Sequence, residues 1–498
     1  MNYFKFLFLL ITFTFSAQNI ELKWAEKIKT KGNVSILGGK GGKYFTYHTN
    51  NDKELLCRTY DKGMNMTNEK VVDFNLTSKK YGYQGAYFVK DKIIHFIYDK
   101  DRKADKQMLY GATSDFNLKT SDKLFVLDEA DEDAINFGER RISPDSTKIL
   151  VYNELIGKKK DPSKLHFKVY DTDLTTKILD KEAQLPIKSK NFLTVSKSVD
   201  NYGNVYVLAR VDKEKDEQAK DQSKFYYKLI AFNKEDKAKE FDFDYPNKDI
   251  ESIAIIPGEN NTLICTGFLK ILNSGFFGKG KKTLISDEMF TSIIDCKTLT
   301  LKSAKNLQLE GLYPEKMKGT SDYVPYEVRE IFQRKDGGSV VVAEQYKLVV
   351  HTSYSPQGGS RTTYYYYFCD IAIINVNNKS EVESVSKMPK YQLNAANPSI
   401  AATYYDGKTF IIYEDLEKNA DAESDKDTKR STRSMFSSSK NNALFLLTVA
   451  ANGEMKKEII YSYKESKIRP RISSSYVNSP NEIIMNADDQ IGLLKISK

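Results

Sequence analysis

The stretch RRISPDSTKILVYNE at 140–154 decides how this chain is read. A short strand-like run ends in a Ser-Pro-Asp-Ser turn, and a run of Ile, Leu, Val and Tyr follows it. Asp and Ser in such a turn bond their own backbone, and β-branched and aromatic residues suit a half-buried strand. The same hairpin returns as SKSVDNYGNVYVLARV (196–211), AIIPGENNTLICTG (254–267), EIFQRKDGGSVVVAEQ (330–345), ATYYDGKTFIIYED (402–415) and SSYVNSPNEIIMN (474–486). Weaker copies stand at YFVKDKIIHFIYD (87–99) and LGGKGGKYFTYH (37–48). One hairpin repeated along the whole chain means a repeat architecture.

Each hairpin is followed by a variable insert and then by two more strands. Third strands read LHFKVYDTD (165–173), FYYKLIAFN (225–233) and ALFLLTVAANG (443–453); fourth strands are more polar, as in AKEFDFDY (238–245). Four antiparallel strands repeated in this way make a β-propeller blade. The inner strands are almost continuously apolar because stacked blades bury both faces. The predicted fold is all-β, a single eight-bladed β-propeller, with seven blades as the rival count. Blades are expected at about 33–71, 82–126, 137–183, 193–243, 250–306, 325–388, 397–460 and 468–498. The eighth lacks a strand. NIELKWAEKI (19–28) alternates Ile20, Leu22 and Trp24 against Glu21 and Lys23, so it is expected to complete that blade and close the ring. Full burial of those three side chains would contribute roughly 5–8 kcal/mol and remove an exposed sheet edge.

The 498 residues carry 12% aromatic and 29% charged side chains, which suits many half-buried strands and excludes a disordered chain. Residues 1–17 read as a signal peptide: Lys5 opens it, Phe6 to Phe15 is apolar, and Ser16-Ala17 offers a small-residue cleavage site. The expected address is exported, either periplasm or extracellular. No stretch approaches the ~20 apolar residues of a membrane helix. The net charge of +9 is mild for this length. Nucleic acid is not an expected partner; a protein or glycan partner is, with the chain itself a monomer. Cys57, Cys265, Cys296 and Cys369 lack the spacing of a staple or a zinc site and are expected to be buried thiols.

The inserts between second and third strands emerge on one face of such a ring. They include 213–224, 268–283, 351–363 and the Ser-, Asp- and Lys-rich 415–440, which reads as disordered. That decorated face is the expected binding face. Catalytic patterns are missing from the sequence: the four histidines are scattered, and neither HExxH nor GxSxG occurs. GFFGKGKKT (275–283) lacks the Ser/Thr of a phosphate loop. Asp128, Asp131 and Asp133 could offer oxygens to calcium but lack the glycine and terminal glutamate of a calcium loop. No metal and no cofactor is expected. Asp145, Asp200, Asp336 and Asp406 recur at the hairpin turn and read as structural. The candidate binding residues are charges on first strands, which line the central channel: Glu139, Arg140, Arg141, Glu327, Arg329 and Arg471. Arginines there could clamp an anion bidentately. A glycosidase would need two carboxylates flanking one bond; Glu139 and Glu327 could serve, but nothing in the sequence pairs them.

SPDSTKILVY (143–152) resembles the SPDG-type repeat of TolB-like and WD40-like exported propellers, with Ser146 in place of the usual Gly. DNYGNVYVLA (200–209) is similar to the repeat of other bacterial propellers, and REIFQRKDGGSVVVAEQY (329–346) resembles secreted proteins of the Bacteroidota. The resemblance covers ten to twenty residues per blade. It implies a propeller acting as a binding or assembly platform. An enzyme of carbohydrate or acidic polymers working in the channel, and a structural part of an envelope complex, are the alternatives.

Overall fold

The computed structural model describes residues 19–28, 34–50, 54–74, 76, 81–101, 105–131, 137–155, 158–218, 222–235, 238–245, 247–271, 288–310, 312, 324–354, 359–394, 399–424, 426–432, 441–466, 468–487 and 489–497. These form eight sheets and no α-helix. Seven contain a four-stranded antiparallel meander, spanning 35–72, 82–131, 139–188, 192–243, 248–308, 326–388 and 400–462, the sixth extended by Gln392–Leu393 and by Ser431–Thr432 from the insert of the seventh. We number them blades 1 to 7. Blade 8 is built from Arg471–Ser479, Glu482–Ala487 and Gln490–Ser497, and its fourth strand is Asn19–Trp24. The pairing runs antiparallel from Asn19↔Ser497 to Trp24↔Gly492. Eight blades and closure by the N-terminal strand therefore stand as the sequence predicted.

The core is divided into eight apolar clusters, one at each junction between neighbouring blades. The second strand of blade 3 shows how the sequence makes them. Ile149, Leu150, Val151 and Tyr152 are all fully buried. Successive strand residues point to opposite faces, so Leu150 and Tyr152 pack toward blade 4 while Ile149 and Val151 pack toward blade 2. Four consecutive apolar residues are what a blade buried on both faces requires. The junction that completes the circuit sets Tyr44, Tyr60 and Met64 of blade 1 against Ile484, Ile491 and Leu493 of blade 8, with Ala25 between them. Ile20, Leu22 and Trp24 are only partly buried against the blade 7–8 core. Their contribution to closure is thus nearer 2–4 kcal/mol than the value for full burial.

Turn chemistry follows the repeat. Asp145 accepts hydrogen bonds from Ser143 and Thr147, Asp200 from the Tyr202 and Asn204 amides, and Asp336 from the Gly338 amide. Ser146, which replaces the usual glycine, has φ +58°, and Asp406 has φ +49°. Both are left-handed turn positions.

Two inserts differ from expectation. The segment 351–363 is not a loop: residues on both sides of its tip continue the strands Ser339–Tyr354 and Ser360–Val376 of blade 6. The described part of 415–440 is folded. Asn419, Thr428 and Ser431 are buried, and Ser431–Thr432 pairs with Gln392–Leu393. Its polar composition is met by internal bonds, since Asn419 both donates to the Lys429 carbonyl and accepts from its amide. Residues 433–440, residues 1–17 and GFFGKGKKT (275–283) lie outside the described residues.

Candidate functional site

In every blade the first strand begins, and the second strand ends, on the same rim of the ring, so the inserts emerge there together. Blade 6 makes this rim distinctive. Its first strand pairs with the second only as far as Tyr326↔Gln345, and its fourth strand pairs with the third only between Val376 and Ile371. The central hairpin runs on for nine further pairs, from Tyr346↔Phe368 to Tyr354↔Ser360. At ~3.3 Å per residue this is an arm of about 30 Å. One face of it carries Leu348, Val350, Tyr354, Tyr364 and Tyr366, all exposed, with Tyr354 at 80%. The described arm residues include Lys347, His351 and Arg361 but no carboxylate. Its third-strand edge is covered near the base alone, where Tyr367 and Phe368 pair with Leu393 and Gln392.

The arm is fixed at its root by a buried ionic cluster. Glu344 is fully buried. It accepts from Arg329 Nε at 3.0 Å, and it contacts Lys390 Nζ and Ser399 Oγ. Lys390 also donates to Ser399 at 2.7 Å and Gln392 at 3.1 Å. The Arg329 guanidinium lies over the rings of Tyr346 and Phe368, the first pair of the arm. A buried charge is tolerable only when paired and hydrogen-bonded, and here Glu344 has two cations and a hydroxyl. Next to the cluster, Asp415 opens the insert of blade 7. Burial pushes its carboxyl up to about 7, opposed by bonds from the Leu416 amide at 2.7 Å and Asn419 Nδ2 at 3.0 Å.

The six candidate residues are distributed, not gathered. Glu139 is ion-paired with Lys197 of blade 4. Arg140 donates to the carbonyls of Gly138 at 2.8 Å and Gln84 at 3.0 Å, and it stacks on Phe96. It therefore fastens blade 3 to blade 2. Arg141 is exposed and donates to the Arg140 carbonyl at 2.7 Å. Glu327 pairs with Arg329 at 3.0 Å; burial raises its carboxyl, and Arg329 works against that rise. Arg329 thus belongs to the arm's root. Arg471 is exposed on blade 8 and lines a cavity. Glu139 and Glu327 are each neutralised by a neighbouring cation and do not form a facing pair of free carboxylates. Glu330 is different: it is exposed on a first strand yet crowded by surrounding chain, which raises its carboxyl to about 7.

Sequence reasoning missed Glu344, Lys390 and Ser399. The signal was present for Glu344, a lone carboxylate inside the apolar run SVVVAEQY (339–346). Asp128 and Asp131 lie in a strand and not in a loop between blades. Asp128 is buried against Lys168 at 2.6 Å, and Asp131 pairs with Lys106 at 2.7 Å. Asp133 lies outside the described residues. No group of metal-ligating side chains occurs among the described residues. None of their helices is long and apolar enough to cross a membrane. All four cysteines are buried free thiols, and burial lifts Cys57 and Cys296 to about 12.

No protein-family model matches the chain, and no curated protein sequence does. Solved structures that resemble it include the Dos1 propeller, with 8% identity, 95% of each chain covered and a TM-score of 0.41. Another is Chaetomium thermophilum Sqt1 bound to the N-terminus of the ribosomal protein L10, with 9% identity, 95% of this chain and 98% of that one covered, and a TM-score of 0.39. A third is a post-proline cleaving enzyme from Rickettsia typhi, with 10% identity and a TM-score of 0.37, matched over 92% of this chain but 57% of its own. Likenesses this distant carry no functional argument. The sheet order and the closing strand make the chain a β-propeller repeat protein.

Proposed function

We propose that the chain is a non-enzymatic binding platform that takes a protein partner on its decorated rim, with the blade 6 arm as the main contact. The exposed apolar face of that arm carries the reading. A two-stranded hairpin is marginal in water by itself, and this one presents three exposed large side chains from Tyr alone. Exposed apolar patches with a polar surround mark interaction surfaces. Arg361, with no carboxylate among the described residues of the arm, suits a partner with an acidic border around an apolar patch. The ionic root holds the arm in place before binding, which lowers the ordering cost of association. Export, read from residues 1–17, is part of the proposal and sets where the partner is sought.

The test is affinity capture from envelope and extracellular fractions, followed by mass spectrometry. The intact chain is compared with the double variant Leu348→Ser/Tyr364→Ser and with a form whose arm is shortened to a tight turn at 346–368. A partner held by the intact chain, lost from both variants and released by high salt is expected. Identical partner sets for all three would overturn the proposal.

A further inference from the structure

We propose that Lys168 and Asn153 of blade 3 become joined by an isopeptide bond, which the folded chain forms by itself with Asp128 of blade 2 as the proton carrier. The site is independent of the arm. Lys168 lies on the third strand of its blade opposite Val151 of the second, and Asn153 stands two residues beyond Val151 on the same face. Diagonal neighbours of this kind are roughly 7–8 Å apart at the backbone, within reach of a lysine stem. Asp128 comes from the fourth strand of blade 2 and enters between them. One of its oxygens accepts from Lys168 Nζ at 2.6 Å, and the other accepts from Asn153 Nδ2. The amine and the amide thus flank a single carboxylate. Asp180, which faces Lys168 from the fourth strand of blade 3, is taken by Lys177 at 2.6 Å and His166 at 3.1 Å.

These are the parts that acyl transfer to an amine needs. The orientation of the Asn153 amide is fixed by its neighbours, because a carboxylate only accepts and a backbone amide only donates. The Gly138 N–H reaches Asn153 Oδ1 at 2.7 Å. A donor placed there polarises the carbonyl and stabilises the oxyanion of a tetrahedral intermediate. Asn153 and Asp128 are both buried, at the junction of blades 2 and 3 whose apolar members include Leu109, Leu127, Val151 and Tyr170. A dry site disfavours separated charges, so Lys168 can pass a proton to Asp128 and become a neutral nucleophile. The amine then attacks Asn153 Cγ. The Nζ–Cγ bond forms, the oxyanion collapses and the Cγ–Nδ2 bond breaks. Nζ gives up two protons in all: one reaches Nδ2 through Asp128, and the other leaves with the ammonia as ammonium. Nothing is oxidised or reduced, and no co-reactant is needed. The product ties the second strand of blade 3 to the third.

The experiment is mass spectrometry of the denatured full chain and of its tryptic peptides. The intact chain is expected to be lighter by one ammonia than the mass calculated from its sequenced N-terminus. Trypsin should fail to cut after Lys168, so that residues 165–177 appear joined to residues 149–158. Two variants are run in parallel, with folding checked by circular dichroism. Asp128→Asn keeps the shape of the carrier and removes its basicity, and Lys168→Arg keeps the cation and removes the nucleophile. Both should show the full calculated mass and separate peptides. A wild-type chain at full mass, loss of ammonia without the joined peptides, or joined peptides that persist in folded Asp128→Asn would overturn the proposal.

Discussion

Substituting Gly492 by Ala should loosen the seam that closes the ring. Gly492 pairs with Trp24, and the indole lies across the space a side chain would fill. A Cβ there would stand 2.6 Å from Cε3, 2.8 Å from Cζ3 and 2.9 Å from Cδ2 of Trp24. Those atoms belong to a rigid ring, so the ring must move away from the sheet. Overpacking of this kind costs about 1–3 kcal/mol. The half-buried side chains of the closing strand contribute roughly 2–4 kcal/mol together. The substitution should therefore remove a large share of what holds the strand down, and the opening equilibrium should rise about 5- to 150-fold. Trp24 is the only tryptophan in the chain, so its fluorescence reads this seam alone. Gly492→Ala should shift the emission to the red, raise quenching by acrylamide and speed amide exchange at Leu22 and Leu494. Gly359→Ala is the control, since nothing lies within 4 Å of a Cβ there. If Gly492→Ala matched wild type in emission, quenching and exchange, the reasoning about closure would be refuted.

Other outcomes follow from the buried polar groups. His95 is fully buried between Tyr83 and Ser114, and loss of water holds its imidazole down at about 3. The unfolded chain takes up that proton near pH 6.5 and the folded chain does not, so stability is complete above 6.5 and falls by about 1.36 kcal/mol per pH unit toward 3. At pH 5 the loss is roughly 2 kcal/mol; urea unfolding of His95→Phe should lack this component, and an unchanged pH dependence would contradict the assignment. Lys390→Met leaves Glu344 short of a cation and should cost about 3–5 kcal/mol. Adding Glu344→Gln should recover part of that loss in the same urea assay; strictly additive losses would argue against the pairing. The four thiols should resist Ellman's reagent in the native protein and all react in guanidinium, because burial keeps them protonated. Rapid native labelling of any one would show that its blade opens.

The architecture was legible because a propeller writes itself into sequence at short range. SPDSTKILVY shows the turn, the strand and the two-faced burial within ten residues, and the alternation of NIELKW shows a strand with one wet face. What failed to show was anything fixed by pairing across long separations. The charged residues of the first strands stood out in the sequence, but their partners could not be seen. Arg329 meets Glu344 across the hairpin and Arg140 meets the Gln84 carbonyl of another blade. The insert at 415–440 misled for a related reason: composition predicts disorder when side chains have nothing to bond, and in its described part Asn419 bonds Asp415 and Lys429, Ser424 bonds Asp427, and the Ser431 amide bonds the Tyr391 carbonyl. The arm was hidden because HTSYSPQGGSRTT has a turn at its centre and polar residues around it, which is how both a loop and a long exposed hairpin look.

The partners Asn19 and Ser497 are 478 positions apart. At about 5–20 residues per second, a ribosome needs roughly half a minute to a minute and a half to make the intervening chain. For all of that time the NIELKW segment has no native neighbour to pair with, and blade 1 has one bare flank. The last event of folding is then a single search by a tethered ribbon for a docking edge that has only just been made. The closing strand is thus the element whose pairing is most delayed relative to its own synthesis.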